Sequence, residues 1–416
     1  MRKASLGTLF LTVFLDLLGF GLVIPFLPGV ARDMGASDLV ATLLGASYSL
    51  MQFIFIPLWG RLSDRHGRRP VLLASIAASA LGMVMLGLAP SLFVLFLARI
   101  WSGIATANIA VAQAYISDVT SPETRARGMG MIGMAFGLGF ILGPFVGGEL
   151  GHVVIFGRPG ALAAFVAAGL SVVNLVLAVF SVPESLPPEA PGSKARAGVR
   201  HDVASMRAAF QMSGVSIALA INFLVVFWFA GMEQTFRLFT DDAFGMTMAG
   251  TGRVLGFVGV VAVVVQGGLI HPLTRLLGEA RLIRAGAFCL AAAFALTGVS
   301  PDLGGWARVA LFAGAGLIAA GSGLVTPSVS SYVSRRADAG SQGATLGALQ
   351  SVAALARVFG PAAGGIAYQL AGRTAPYYLG SVGMLLAALL ALGLRPIPRR
   401  TGTAAAPAPS APSGGA

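Results

Sequence analysis

Gly60-Arg61-Leu62-Ser63-Asp64-Arg65-His66-Gly67-Arg68-Arg69-Pro70 is a densely charged stretch held between two apolar runs, 37 to 59 before it and 70 to 89 after it. A helix needs roughly 20 apolar residues to cross a bilayer core, so the stretch reads as a loop joining two membrane spans. Gly60 and Gly67 permit a tight turn and close helix approach. Asp64 lies among Arg61, Arg65, Arg68 and Arg69, which can pair with it or with helix C-termini. Such a cluster can latch two helix ends in one conformation and release them in another. Gly60, Asp64, Arg65, Gly67, Arg68 and Arg69 are therefore expected to form a conformational gate.

Outward from that loop, apolar runs recur along the whole chain. Of its 416 residues 56% are hydrophobic and only 11% are charged, against about 25% charged in soluble proteins, so most of its surface must face lipid. Candidate spans lie near 5 to 28, 37 to 59, 70 to 89, 92 to 116, 129 to 151 and 159 to 182. Six more lie near 213 to 238, 250 to 272, 282 to 300, 306 to 333, 344 to 370 and 375 to 394. The first run contains Asp16 and lacks a small-residue cleavage site, so it is expected to be a retained helix. With the amino terminus in the cytoplasm, basic clusters such as Arg2-Lys3, Arg61 to Arg69, Arg275 to Arg284, Arg335-Arg336 and Arg395 to Arg400 fall on the cytoplasmic side. The other side receives Arg32, Arg158, Arg237, Arg253, Arg308 and Arg373. This bias and the even span number put both termini in the cytoplasm of a multi-pass cell membrane protein. The net charge of +12 thus reads as topology and points to no nucleic-acid partner.

The chain divides into a six-helix bundle over 1–182, a proline-rich cytoplasmic linker over 183–212, a second six-helix bundle over 213–394 and a disordered tail over 395–416. An internal repeat supports the division. Gly143, Pro144, Gly147 and Gly148 recur as Gly360, Pro361, Gly364 and Gly365, and the same offset carries Tyr115 to Tyr332 and Asp16 to Glu233. Two repeats with a site at their interface are the organisation of secondary transporters.

The Gly60 to Pro70 stretch closely resembles the signature of the major facilitator superfamily. Leu15-Asp16-Leu17-Leu18-Gly19-Phe20-Gly21, Arg99-Ile100-Trp101-Ser102-Gly103 and the segment from Gly133 to Gly148 extend the resemblance to its proton-coupled drug antiporters, in particular the tetracycline-exporter-like branch. The resemblance implies the major facilitator fold, twelve transmembrane helices in two pseudo-symmetric six-helix bundles, an all-α integral membrane protein. It also implies that Arg99 takes part in proton transfer and that the glycine-rich fifth span is an antiporter motif favouring export. On the residues themselves, Gly137, Gly139, Gly143, Pro144, Gly147 and Gly148 make a smooth surface that a second helix can approach closely. Leucine at Gly143 or Gly147 is expected to force helices apart, and alanine at Gly147 to be milder. Tetracycline exporters usually carry acids in spans 3 and 9, whereas Val71 to Leu88 and Leu282 to Val299 have none, so metal–tetracycline chelates are not the expected cargo.

An ionised side chain at bilayer depth is costly unless paired or wet, which makes each one a functional candidate. Asp16, near the midplane of span 1, is expected to bind and release the coupling proton, with Arg99 as a possible partner. Glu233 and Arg357 complete the proton-coupling set in the second half. Thr106 and Gln113 share a helical face with Arg99, Asn222 shares one with Glu233, and Gln350 shares one with Arg357. Together with Tyr48 and Gln52 these are expected to line the substrate cavity. Phe227, Trp228 and Phe229 could stack on an aromatic or cationic substrate.

The single Cys289 and the scattered His66, His152, His201 and His271 give no metal site, and no nucleotide-binding Gly-Lys-Ser/Thr loop is present. No cofactor and no enzyme activity are expected. The expectation is a transporter, functional as a monomer, that exports small amphipathic molecules in exchange for protons by alternating access. The alternatives are a proton-coupled importer on the same fold and, more remotely, a membrane enzyme or non-transporting receptor.

Overall fold

With no water in a bilayer to satisfy backbone groups, an apolar chain of this kind closes its hydrogen bonds within helices. The computed structural model describes residues 6–106, 108–120, 122–185, 212, 214–337 and 342–396, and all its regular elements are helical. They are α1 (Leu6–Val23), α2 (Leu27–Asp33), α3 (Asp38–His66), α4 (Arg68–Leu88), α5 (Leu92–Ala105), α6 (Asn108–Val119), α7 (Pro122–Gly151) and α8 (Ala161–Ser181). After residue 212 come α9 (Val215–Phe244), α10 (Met248–Val263), α11 (Ile270–Leu277), α12 (Glu279–Val299), α13 (Ala307–Arg336), α14 (Gln342–Ala371) and α15 (Ala375–Leu392). A π-turn, Val264–Leu269, joins α10 to α11. Among the described residues ten helices are long and apolar enough to cross a membrane, and Leu92–Ala105 and Gly137–Gly151 are shorter apolar helices. Large apolar side chains such as Phe180, Phe93 and Leu370 are widely exposed, as lipid-facing positions are.

The helices sort into two packing groups. Before residue 186, α1 packs on α7 and α8, α4 on α5 and α8, and α3 on α5. After residue 212, α12 packs on α13 and α15, and α9 on α14 and α15. The groups meet where α7 lies against α10 and α3 against α14. Two ends can be told apart: the near end, which carries residues 60–68 and 278–284, and the far end, which carries residues 32–42, 148–160 and 242–252.

The glycines of the seam show how the groups meet. At the far end a Cβ on Gly148 would lie 2.7 Å from Gly252 Cα, and one on Gly365 would strike Thr42. Toward the near end of the same helices, a Cβ on Gly60, Gly267, Gly268 or Gly347 would meet nothing within 4 Å. The core follows suit. One buried apolar cluster runs through both groups and includes Phe26, Leu44, Phe239 and Met248, while Leu9, Leu72, Val111 and Tyr115 form a separate cluster within the first group. Among the described residues the groups are fused at the far end and parted at the near end.

Two expectations change. Gly60 to His66 is about the last two turns of α3 and Arg68 to Pro70 opens α4, so Gly67 alone, at φ 97°, makes the turn. The charged residues prolong the helices past the apolar stretch because nothing in Arg-Leu-Ser-Asp-Arg-His breaks a helix. The expected span 92 to 116 is interrupted at Thr106 (φ −74°, ψ 76°), whose hydroxyl donates to the Ser102 carbonyl at 2.6 Å, a side-chain bond that competes with the helical ladder. Most of the linker, 186–211, and the tail from 397 lie outside the described residues.

Candidate functional site

Tyr48 is the point on which three of the intramembrane charges, Asp16, Arg99 and Arg357, converge. It is buried in α3, and its hydroxyl is 3.0 Å from the Thr106 hydroxyl at the break between α5 and α6. The Arg99 guanidinium lies 4.4 Å from the centroid of its ring and 5.9 Å from that of Phe20. Arg99 is 3% exposed, and its Nε and Nη1 have no hydrogen-bond partner among the described residues. Ring faces thus provide much of what offsets its burial. Glu233 of α9 lies within electrostatic reach of Arg99 and of Arg357, and Asp16 and Arg357 within reach of Tyr48. The four charged residues singled out in the sequence therefore form one set that spans both helix groups.

Glu233 also lines a cavity of about 240 Å³ at the seam. Its walls are apolar and aromatic, among them Phe140 and Pro144 of α7, Phe229, Met232 and Phe236 of α9, Leu255 and Val258 of α10, and Ile318 of α13. Its other polar side chains are Gln266 and Ser322. Tyr48, Gln52, Thr106, Gln113, Asn222 and Gln350 are not among its lining residues. Tyr48 and Thr106 are tied to each other, Asn222 is buried with its amide donating to the Leu349 carbonyl at 3.4 Å, and Gln113 and Gln350 are exposed. Of the three neighbouring aromatics, Phe229 faces the cavity, whereas Trp228 packs against Gly383 and edge-on against Phe227.

At the near end Arg68 is the hub. It is buried, and it reaches Asp64 (2.6 Å), the Ser63 hydroxyl (2.7 Å) and Asp118 at the end of α6 (3.0 Å). Glu184, just past α8, accepts the backbone N–H groups of Arg68 (2.9 Å) and Arg69 (3.1 Å), which places a carboxylate on the positive end of α4. The second group has a counterpart with signs exchanged. Gly278, at φ 77°, is followed by Glu279, which accepts from Arg335 (2.6 Å) and Ser331 (3.0 Å) at the end of α13. Tyr115 donates to the Pro183 carbonyl, and its repeat partner Tyr332 donates to the Arg395 carbonyl.

At the far end two ion pairs, Arg32–Asp242 and Arg253–Glu149, cross between groups. Arg32 binds Asp242 (2.7 and 2.9 Å) as well as Asp38, Tyr368 donates to Asp242 (2.6 Å), and Arg253 pairs with Glu149 (2.7 Å). The glycine run of α7 serves both packings. A Cβ on Gly139, Gly143 or Gly147 would strike α1 at Leu17, Gly21 or Leu22, whereas Gly148 faces α10 and Gly137 has room, with Val263 3.9 Å away.

Residues 9–361 match the Major Facilitator Superfamily. The chain belongs to that superfamily. Its relatives include the class C tetracycline resistance protein of Escherichia coli, 35% identical over 84% of this chain and 86% of that protein. Multidrug resistance protein 2 of Bacillus subtilis is 30% identical over 89% and 90%. Among solved structures, the human organic anion transporter MFSD10 (TETRAN) aligns at a TM-score of 0.69 and 29% identity, covering 93% of this chain and 98% of that one. These are transporters, not enzymes, and this facilitator is a multi-pass membrane protein.

Sequence reasoning missed Asp118, Glu184, Arg32 and Asp242. For Asp118 a signal existed: the repeat offset carries it to Arg335, a charge reversal at equivalent positions. Arg32 and Asp242 sit just beyond their expected spans, where a charge needs no explanation.

Proposed function

We propose that this facilitator exports small amphipathic molecules in exchange for protons by alternating access of two six-helix bundles, 1–182 and 213–394, joined by the cytoplasmic linker 183–212. Both termini are cytoplasmic, twelve helices span the plasma membrane, and the protein works as a monomer. The observation that carries the reading is Glu233: it lines the seam cavity while lying within electrostatic reach of Arg99 in one group and Arg357 in the other. A proton taken up there changes the charge that both groups feel, which is how binding energy can bias a two-state equilibrium. Asp16, within electrostatic reach of Tyr48, is the second proton carrier. Arg99 and Arg357 hold the two acids in reach of exchangeable charge.

With the termini in the cytoplasm, the fused far end makes this the inward-open state. The antiporter glycines then act as the bearing on which α1 and α10 rest. The cargo is amphipathic because the cavity is apolar with one acid. Metal–tetracycline chelates are not the cargo, because α4 and α12 beyond Glu279 carry no acid and Glu279 is engaged by Arg335 and Ser331.

The test compares accumulation of a compound panel in cells with and without the protein, before and after a protonophore. An exporter lowers accumulation, and collapsing the gradient restores it. Accumulation that is raised by the protein and lost with the gradient would instead identify an importer.

A further inference from the structure

The seam cavity holds two polar groups for which proton exchange has no use, Gln266 and Ser322. Gln266 is brought there by a departure from α-helical geometry. The helix is regular to Val263, widens into the π-turn Val264–Leu269 and resumes at Ile270. A π-turn weakens hydrogen-bond geometry, re-aims the side chains it carries and occurs frequently at functional sites. Local sequence favours it, because Gly267 and Gly268 follow Gln266 and no neighbour crowds either. Packing fixes it, because a Cβ on Gly323 of α13 would lie 3.1 Å from Val265 Cγ1 and 3.3 Å from Gln266 Cγ. The stem of Gln266 thus rests on a glycine, Val265 is buried and Val264 faces outward at 55% exposure. Ser322, next to Gly323, donates its hydroxyl hydrogen to its own helix, with the Ile318 carbonyl at 2.8 Å and the Ala319 carbonyl at 3.1 Å. Its lone pairs remain available as acceptors.

We propose that Gln266 is a specificity-determining residue whose amide, both donor and acceptor, reads a hydrogen-bonding group on the cargo. The inference rests on the cavity being the cargo's binding site. Glu233 is the ionisable side chain in the lining, and Phe140, Phe229 and Phe236 present aromatic surface beside it, a setting that suits an ammonium head. A volume of about 240 Å³ suits one aromatic ring with a short chain. The cargo class is therefore a small aromatic amine with a second hydrogen-bonding group. Selection works by difference: an amine that lacks that group leaves the Gln266 amide without its bond, as sites built to hydrogen-bond a substrate reject analogues that cannot.

Phenethylamine and tyramine differ by one phenolic hydroxyl and are the probes. Binding of each to the purified full-length protein is measured by titration calorimetry for the wild type, Gln266→Leu, Gln266→Asn and Ser322→Ala, with melting temperatures recorded alongside. The wild type binds tyramine more tightly. Gln266→Leu raises the tyramine Kd about five- to tenfold, the worth of one hydrogen bond, and leaves phenethylamine and the melting temperature unchanged. Ser322→Ala raises it about twofold. Gln266→Asn, which keeps the amide, is intermediate and gives the same comparison if the leucine variant does not fold. A tyramine preference that survives Gln266→Leu would overturn the inference, and so would equal weakening of both amines, the mark of a packing role. Failure of both amines to bind the wild type would overturn the cargo class while leaving gradient-driven export to its own assay. A Gln266-dependent preference without gradient-driven flux would do the reverse.

Discussion

The two ends of the molecule are held by different kinds of bond. At the far end, Arg32–Asp242 and Arg253–Glu149 join one helix group to the other. At the near end, Arg68–Asp118 and Arg335–Glu279 each stay within one group. Bonds of the first kind must break when the far end opens, whereas bonds of the second kind can travel intact with the group they brace. In this conformation the ion pairs of the signature stretch lie within the first group, and those of the far end, unmarked in the sequence, join the two groups.

That contrast can be broken most forcefully at the glycines. A Cβ on Gly147 would collide with the Leu22 carbonyl, so even Gly147→Ala abolishes transport and destabilises the fold by about 1 to 3 kcal/mol. Gly137→Ala, with Val263 3.9 Å off, leaves the stability of the fold unchanged. Flux and melting temperature of the two variants decide it, and equal behaviour would remove the packing argument. Alanine at Gly147 remains the milder change relative to leucine, but because the obstacle is the Leu22 backbone even a single methyl meets it.

Next comes the near-end brace. Arg68→Ala removes a buried arginine with partners on α3 and α6 and costs about 2 kcal/mol. Asp118→Asn costs nearly as much. Asp64→Asn, at a carboxylate 59% exposed, costs well under 1 kcal/mol. Melting curves of the three give that order, and a larger effect at Asp64 than at Asp118 would contradict the argument from burial.

At the far end the effect is on populations. Arg32→Ala removes a bidentate bridge between groups at about a quarter to a third exposure, worth about 1 kcal/mol, and shifts the equilibrium roughly fivefold toward far-end opening. Spin-label distances across the far end measure the shift. Arg68→Ala, by contrast, leaves that distribution unchanged. The smallest effect is at Arg253→Ala, where the arginine is 64% exposed and solvent screening leaves distances and stability as they were.

How much of this the sequence carried depends on the kind of physics. Ten of the expected span positions were legible because a bilayer imposes length and apolarity on each helix separately. Asp16, Arg99, Glu233 and Arg357 stood out because charge at membrane depth demands a reason; Asp16, Arg99 and Arg357 lie within electrostatic reach of Tyr48, and Glu233 within reach of the two arginines. Their partners were not: Arg99 rests on the rings of Tyr48 and Phe20, a contact between helices distant in sequence. The cavity was not legible either. It is lined by positions such as Met232, Leu255 and Ile318 that are apolar like the lipid-facing ones, so helix rotation alone decides their role. The π-turn left only the Gly267-Gly268 pair as a trace, and the helical continuation of Gly60 to His66 was hidden because charge was taken for a loop.

The central claim is that the charge set around Tyr48 couples protons to cargo through Glu233. It is tested most directly by Glu233→Gln in proteoliposomes loaded with a compound that the wild-type protein expels from cells. Uphill efflux under an imposed pH gradient and downhill exchange without one are measured on the same vesicles. Glutamine keeps the size and hydrogen-bonding capacity of the side chain but carries no titratable proton. The account predicts that gradient-driven efflux is lost while downhill exchange survives. Normal gradient-driven efflux with glutamine at this position would contradict it.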